Sequence, residues 1–428
     1  MTIRPARPTL CLLQWALCNG AVALLLCRSA LQAQEPQQAL FDLHTADGVT
    51  VSGPLEQVRE DWSVSLGGPS AKPASANEAI TLRRTKMPLP GHPQEECVHF
   101  ANGDCLAGTA LRISDERAQF RGRFLGRGSR SPGPELSLPL ASLSVLWFAA
   151  PDTVPNAALW RRRLLSERQH KDSIWLRNGD VVEGTLTALD EKAIGMEVAI
   201  DGRPPSETKL GRDRVAVVAF NTQLSRISEP KGTYARLVLA NGGRLSLASA
   251  QMERGSILRC KTLFGATVQI PADQIAALDW RQGRAVYLSD LKALRYEHTP
   301  FFGVSWPYVG DSSVAGYDLR VAASSYDKGI GMHSESRLTY ELDAGYAWFE
   351  ALVGLDDRSG KGGSVLVEVL VDSKLADIGS QAELTHASGP RAIRLPVKGA
   401  KELTLVVKFG RHGDVQDHVN WADARLIK

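Results

Sequence analysis

The stretch VLVEVLVDSKLADIGSQAELTHASGPRAIRLPVKGAKELTLVVKFG (Val365–Gly410) decides the reading of this chain. Within it, Val365–Asp372, Ala392–Gly399 and Leu403–Gly410 alternate or run apolar at strand length, with Gly and Pro between them. After Tyr287 no helix-length periodic segment follows. Together these features predict a two-sheet β-sandwich, its inner faces built from Val, Leu and Phe and its functional loops gathered at the ends.

Upstream of the sandwich the sequence repeats itself loosely. Four units open with TADGVTVSGPLEQV (Thr45–Val58), FANGDCLAGTALRI (Phe100–Ile113), LRNGDVVEGTLTAL (Leu176–Leu189) and LANGGRLSLASAQM (Leu239–Met252). Each sets Asp-Gly or Asn-Gly between alternating apolar residues, the strongest short hairpin signal, and predicts a turn with positive φ at both central positions. Second strand patterns close the units at Ala79–Arg84, Leu136–Phe148, Thr208–Phe220 and Val268–Trp280. The spacing is irregular, so the prediction is small antiparallel β units packed side by side rather than a rigid solenoid. One segment departs from the β pattern: PNAALWRRRLLSERQHKDS (Pro155–Ser173) reads as a connecting helix with Pro at its first position and Leu159, Trp160, Leu164 and Leu165 toward one side. Arg161, Arg162 and Arg163 read as its solvated face. The stretches Gly67–Ala76 and Gly126–Pro134 read as exposed loops.

The first residues read as an export signal. Arg4 and Arg7 precede a mostly apolar Leu10–Cys27, and small residues up to Ala33 precede the polar QEPQQ. Cleavage after Ala33 is the expectation, with an uncleaved anchor as the alternative; no later segment reaches transmembrane length. The chain's formal charge of +3 matches the three arginines of this acid-free leader, so the remainder is neutral and offers no electrostatic case for nucleic acid or an anionic membrane. With 43% hydrophobic and 23% charged residues the 428-residue chain has an ordinary globular composition. Beyond the leader only Cys97, Cys105 and Cys260 remain. Cys97 and Cys105 flank a turn and could face each other in a disulfide, with three buried thiols as the favoured alternative; no pair has zinc-site spacing.

Several motifs carry a family resemblance. FFGVSWPYVGDSSVAGYDLRVAASSYDKGIGMHSESRLTYEL (Phe301–Leu342), FEALVGLDD (Phe349–Asp357), YLSDL (Tyr287–Leu291) and DHVNWADARL (Asp417–Leu426) closely resemble the NPCBM family, carbohydrate-binding modules found beside glycoside hydrolases such as family 98. The resemblance implies a galactose-binding-like jelly roll in which sugar, and in some members calcium, sits in the end loops. Where the family shows Ala-Asp before the tryptophan, this chain has Val419 and Asn420, and Ser373 replaces a turn glycine. The expected organisation is a signal peptide at 1–33, two β units at 34–150, a helix at 151–173, two further units at 174–284 and the module at 285–428.

Saccharide recognition needs an aromatic face for ring C–H groups and planar polar partners for hydroxyls. Trp306, Tyr308, His333, Asp356, Asp357, Arg358, His418 and Trp421 are the right types in loop-like contexts. Core packing competes for Trp421, and a backbone hydrogen bond competes for His333. Asp423 is expected to pair with an arginine inside the module. The adjacent carboxylates of Asp356 and Asp357 also suit a structural calcium ion, although no cofactor is required and no EF-hand pattern is present. The chain has no HExxH, GxSxG elbow or P-loop. The expected protein is therefore exported, mainly β and non-catalytic, with carbohydrate as its partner; an envelope scaffold without sugar binding is the alternative.

Overall fold

A computed structural model describes residues 39–68, 73–124, 133–199, 204–227, 229–253, 257–301, 303–379 and 383–428. The expected leader with its cleavage site, and most of the two expected loops, lie outside the described residues. Among those described, no helix is long and apolar enough to cross a membrane.

The repeats fold as four small antiparallel β units of one plan. In the second unit the opening strand Cys97–Phe100 pairs antiparallel with both Cys105–Ser114 and the closing strand Leu143–Trp147. Cys105–Ser114 then pairs with Arg117–Gly122, and that strand with Glu135–Pro139. The third unit (Asp172–Ala219) and fourth unit (Tyr234–Arg281) repeat this order, and the first unit (Leu40–Arg84) does so with one strand fewer. The long second strand serves two ladders because it is bulged at the same place each time, between Leu55/Gln57, Ala110/Arg112, Leu186/Ala188 and Leu247/Ser249. Closing strands then join the units in pairs: Ala79–Arg84 lies against Ile275–Arg281, and Leu143–Trp147 against Val215–Ala219.

The predicted turns are present, with different geometry. Only the glycines are left-handed, at φ 90° (Gly48), 80° (Gly103), 91° (Gly179) and 90° (Gly242). Each preceding Asp or Asn instead accepts the N–H two residues on with its side chain, at 3.2 Å for Asp47 and 3.1, 3.1 and 3.0 Å for Asn102, Asn178 and Asn241. That bond turns the chain without positive φ at the Asx position. The second glycine of the motif has a separate cause. A Cβ on Gly53, Gly108 or Gly184 would stand 2.2 Å from a carbonyl oxygen of the facing chain, so the strands approach there only if the side chain is hydrogen. Leu247 holds this place in the fourth unit.

The connecting helix is shorter than expected, Ala157–Ser166, and Asn156 caps it by accepting from the Leu159 N–H. Trp160 lies between Trp147 and Trp175, with ring centroids 5.7 and 5.2 Å away, and Leu164 joins the same cluster. The arginines are not a solvated face. Arg161 is buried and donates to the Pro93 carbonyl, whereas Arg162 reaches the sandwich, donating to Asp318 at 3.3 Å and to the Asp311 carbonyl at 2.7 Å. Only Arg163 stays exposed, paired with Glu167. All three cysteines are buried thiols. Cys105 lies opposite His99 and Cys97 opposite Ala107, so the suggested bridge would need a different register.

Two antiparallel sheets form the C-terminal sandwich. One runs Val309–Gly310, Gly329–His333, His418–Ile427, Trp348–Leu355, Arg391–Pro396; the other runs Arg295–His298, Ser336–Glu341, Glu402–Phe409, Ser364–Val371 and a short edge. Val365, Val367 and Val369 point inward against Leu403, Leu405 and Val407, as the alternation predicts. The sandwich is fastened to the β units by charge and by an apolar cluster in which Ala46 and Ile80 of the first unit pack with Ala285, Trp348 and Ile427. Glu350 accepts from His44 at 3.1 Å, from Arg425 at 2.9 Å and from Arg394. Asp423, expected to pair within the module, lies 4.0 Å from Arg425 but 3.4 Å from Arg83 of the first unit. The terminal strand therefore carries an inter-unit contact that its own sequence does not announce.

Candidate functional site at the end of the sandwich

Period-two geometry places aromatic side chains on one face at one end of the module. His333 and His418 stand opposite each other on paired strands, so their rings share a face, with centroids 5.5 Å apart. Trp306, from the loop before Val309, lies over them. Its ring is parallel to His333 (5°) at 4.9 Å and tilted to His418 at 5.5 Å. His298 approaches His333 edge-on at 6.3 Å, and its partner two residues earlier, Tyr296, packs on Tyr308 at 5.1 Å. The Trp306 loop is tied down by Tyr296, whose hydroxyl donates to the Trp306 carbonyl at 2.6 Å.

Burial lowers His333 and His418 below the ordinary 6.5, which favours their uncharged forms. The Nδ1 of His333 lies 2.8 Å from the Ser334 carbonyl, which fixes Nδ1 as the protonated nitrogen. Beneath the cluster Asp417 is fully buried and is pushed up to about 6 by burial, although Ser334 Oγ and the Ser364 N–H both donate to it. His333 is nearly inaccessible and supports the platform, whereas Trp306, Tyr308 and His418 are half-buried.

Other residues expected at this site have different surroundings, although the Asp356 N–H donates to the His418 carbonyl at 2.8 Å. Trp421 has 0% exposure inside the core and has no face to offer. It shares strand parity with Val419, which is the signal that sends it inward, while His418 pairs in parity with Asn420. Asp356 is 2% exposed, and burial raises its pKa above the ordinary carboxylate value; it accepts from the Arg358 N–H at 2.8 Å and from Asn420 Nδ2 at 2.6 Å. Asp357 accepts from the N–H groups of Ala322 (3.1 Å) and Ala323 (2.7 Å), two residues in left-handed conformation at φ 50° and 65°. Each of the four carboxylate oxygens thus accepts one hydrogen bond from the protein. Arg358 is exposed and lies over the Tyr317 ring at 4.9 Å, away from the Trp306 cluster. Tyr296, His298 and Asp417 were not anticipated. The alternation of Tyr296 and His298 in Arg295–His298 could have found the first two.

With this geometry in place, the likeness to known proteins is specific for the C-terminal third. Residues 284–427 match the model of the NPCBM/NEW2 domain, a family of carbohydrate-binding modules. A "Putative endo-alpha-N-acetylgalactosaminidase" of Renibacterium salmoninarum is 25% identical over 112 residues, 26% of this chain but 7% of the relative, so the chain spans only a small part of that protein's length. Among solved structures, CBM51 from Clostridium perfringens GH95 in complex with methyl-galactose is 29% identical, with 33% of this chain and 99% of that one covered and a TM-score of 0.30. CBM51-2 with INT domains of Clostridium perfringens ZmpB, in complex with GlcNAc, is 22% identical over 44% of each chain at a TM-score of 0.31. The sandwich assignment rests on the strand pairing described above.

Proposed function

We propose that this is an exported, non-catalytic carbohydrate-binding protein whose sandwich takes a saccharide at the Trp306 end, with the β units as the scaffold that holds the module. The observation that carries the reading is the half-buried Trp306 ring, held parallel on His333 and braced by His418, at the loop end of the sandwich. A supported indole offers an apolar face at little entropic cost, and a pyranose presents a matching patch of C–H groups. Galactose-type or envelope glycans fit that demand, since an axial O4 clears the C3, C4 and C5 hydrogens on one face. The half-exposed His418 can bond a hydroxyl at the platform's edge.

A glycan-array screen of the full chain, run with calcium and with chelator, tests this. Selective binding that is lost in a folded Trp306→Ala variant, and is the same in both conditions, is the expected result. A folded protein that binds no glycan in either condition would replace the reading with that of an envelope scaffold.

A further inference from the structure

A second concavity lies where the β units, the connecting helix and the sandwich meet, a half-open cleft of about 1060 Å³. It shares none of the Trp306 cluster. Arg161 and Arg168 line it from the helix side, Ser144 and His99 from the second unit, and Tyr317 and Arg358 from the sandwich.

Its charges are unbalanced in a specific way. The acids of the lining are largely spent: Asp318 is bound by His92 and Arg162, Asp327 by Arg236 and Arg244, and Asp311 by Lys328, leaving only the exposed Glu229. Arg161, Arg168 and Arg358 form no ion pair among the described residues. For Arg161 this is unusual, because it is only 6% exposed, and a buried guanidinium ordinarily has a carboxylate beside it. Instead it donates to the Pro93 carbonyl at 2.6 Å and lies 5.1 Å over the Trp147 ring. Ser144, 8% exposed, carries a buried Oγ with no hydrogen-bond partner. Burial, and then the charge of Arg161, keep His99 neutral, so its imidazole can bond a hydroxyl.

We infer that this cleft is a second binding site, for a saccharide that carries a carboxylate. Planar guanidinium groups match a carboxylate in geometry and charge, the Ser144 hydroxyl and His99 suit sugar hydroxyls, and the volume accommodates a short oligosaccharide. The site is independent of the Trp306 platform, so either can fail without the other.

The test is calorimetric titration of the full chain with galacturonate oligosaccharides, with neutral galactose oligosaccharides of the same length, and with inorganic phosphate. Arg168→Gln combined with Arg358→Gln changes two exposed side chains and leaves the buried packing alone, whereas Arg161→Gln probes the buried charge. Expected are uronate binding that weakens as salt is raised, about tenfold loss in the double variant, and no change in Trp306→Ala. The inference is overturned if no uronate binding occurs, if the neutral sugar or phosphate binds Trp306→Ala as tightly as uronate does, if the folded double variant binds uronate unchanged, or if Trp306→Ala abolishes uronate binding.

Discussion

The sandwich has two polar regions built on opposite principles. Where it meets the β units it is ionic around a small apolar cluster of Ala46, Ile80, Trp348 and Ile427: Glu350, Arg394, Arg425 and Asp423 interlock with His44 and Arg83, and Arg162 and Asn156 reach across to Asp318 and Tyr317. At the Trp306 end it is aromatic, and the cluster makes no hydrogen bond or ring contact to the β units among the described residues. Charge fixes one orientation of the module on its support, while stacked rings leave a face for a ligand. A substitution should therefore strike either stability or binding, and seldom both.

The largest separation is expected at Glu350. Glu350→Gln removes the hydrogen-bonded carboxylate of the buried Arg425, leaving it only Asp423 at 4.0 Å, and should cost about 3–5 kcal/mol in denaturant unfolding. A loss below about 1 kcal/mol would mean that the ionic region does not fasten the module. Trp306→Ala should do the converse, removing about 1–2 kcal/mol of saccharide binding while leaving unfolding nearly unchanged.

Acid should separate the regions by pH. His333 and His418 are lowered below 6.5, so their contribution is complete above that value and is lost as pH falls through the folded values. Asp417, raised to about 6, works the other way: its contribution is complete below 3.8 and is lost as pH rises through about 6. Glu350 feels burial, which raises it, but His44 and Arg425 outweigh that and hold it at about 2, so its own contribution is complete above 4.5 and is lost as pH falls through about 2. Trp306 fluorescence should therefore change below pH 6.5 before global unfolding begins. Coincident transitions would contradict independent regions. In Asp417→Asn the opposing contribution near pH 6 should disappear.

The smallest effect belongs to the turn that Asp357 holds. Ala322→Gly relieves one left-handed residue and should stabilise the protein by about 1 kcal/mol or less, measured as a rise in Tm. A fall in Tm would show that Asp357 has removed the strain.

What was legible in the sequence was local. Asn-Gly pairs and period-two alternation gave the four units and both sheets, because turn chemistry and strand parity act between near neighbours. The core packing that competed for Trp421 was readable, since Val419 at the same parity already marks the inward face. The fates of Asp356, Asp423 and Arg161 were not readable, because each is set by a residue far along the chain: Asn420, Arg83 and Pro93. Three consecutive arginines look like a solvated face until the fold wraps a second unit and a sandwich around them.

The central measurement is a parallel titration of a saccharide selected on the array into the wild-type chain, Trp306→Ala and Glu350→Gln, each below its unfolding temperature. Binding lost in Trp306→Ala and kept in Glu350→Gln is the predicted result. Binding kept in Trp306→Ala, or lost in a folded Glu350→Gln, would contradict the assignment of the aromatic end to ligand and the ionic face to support.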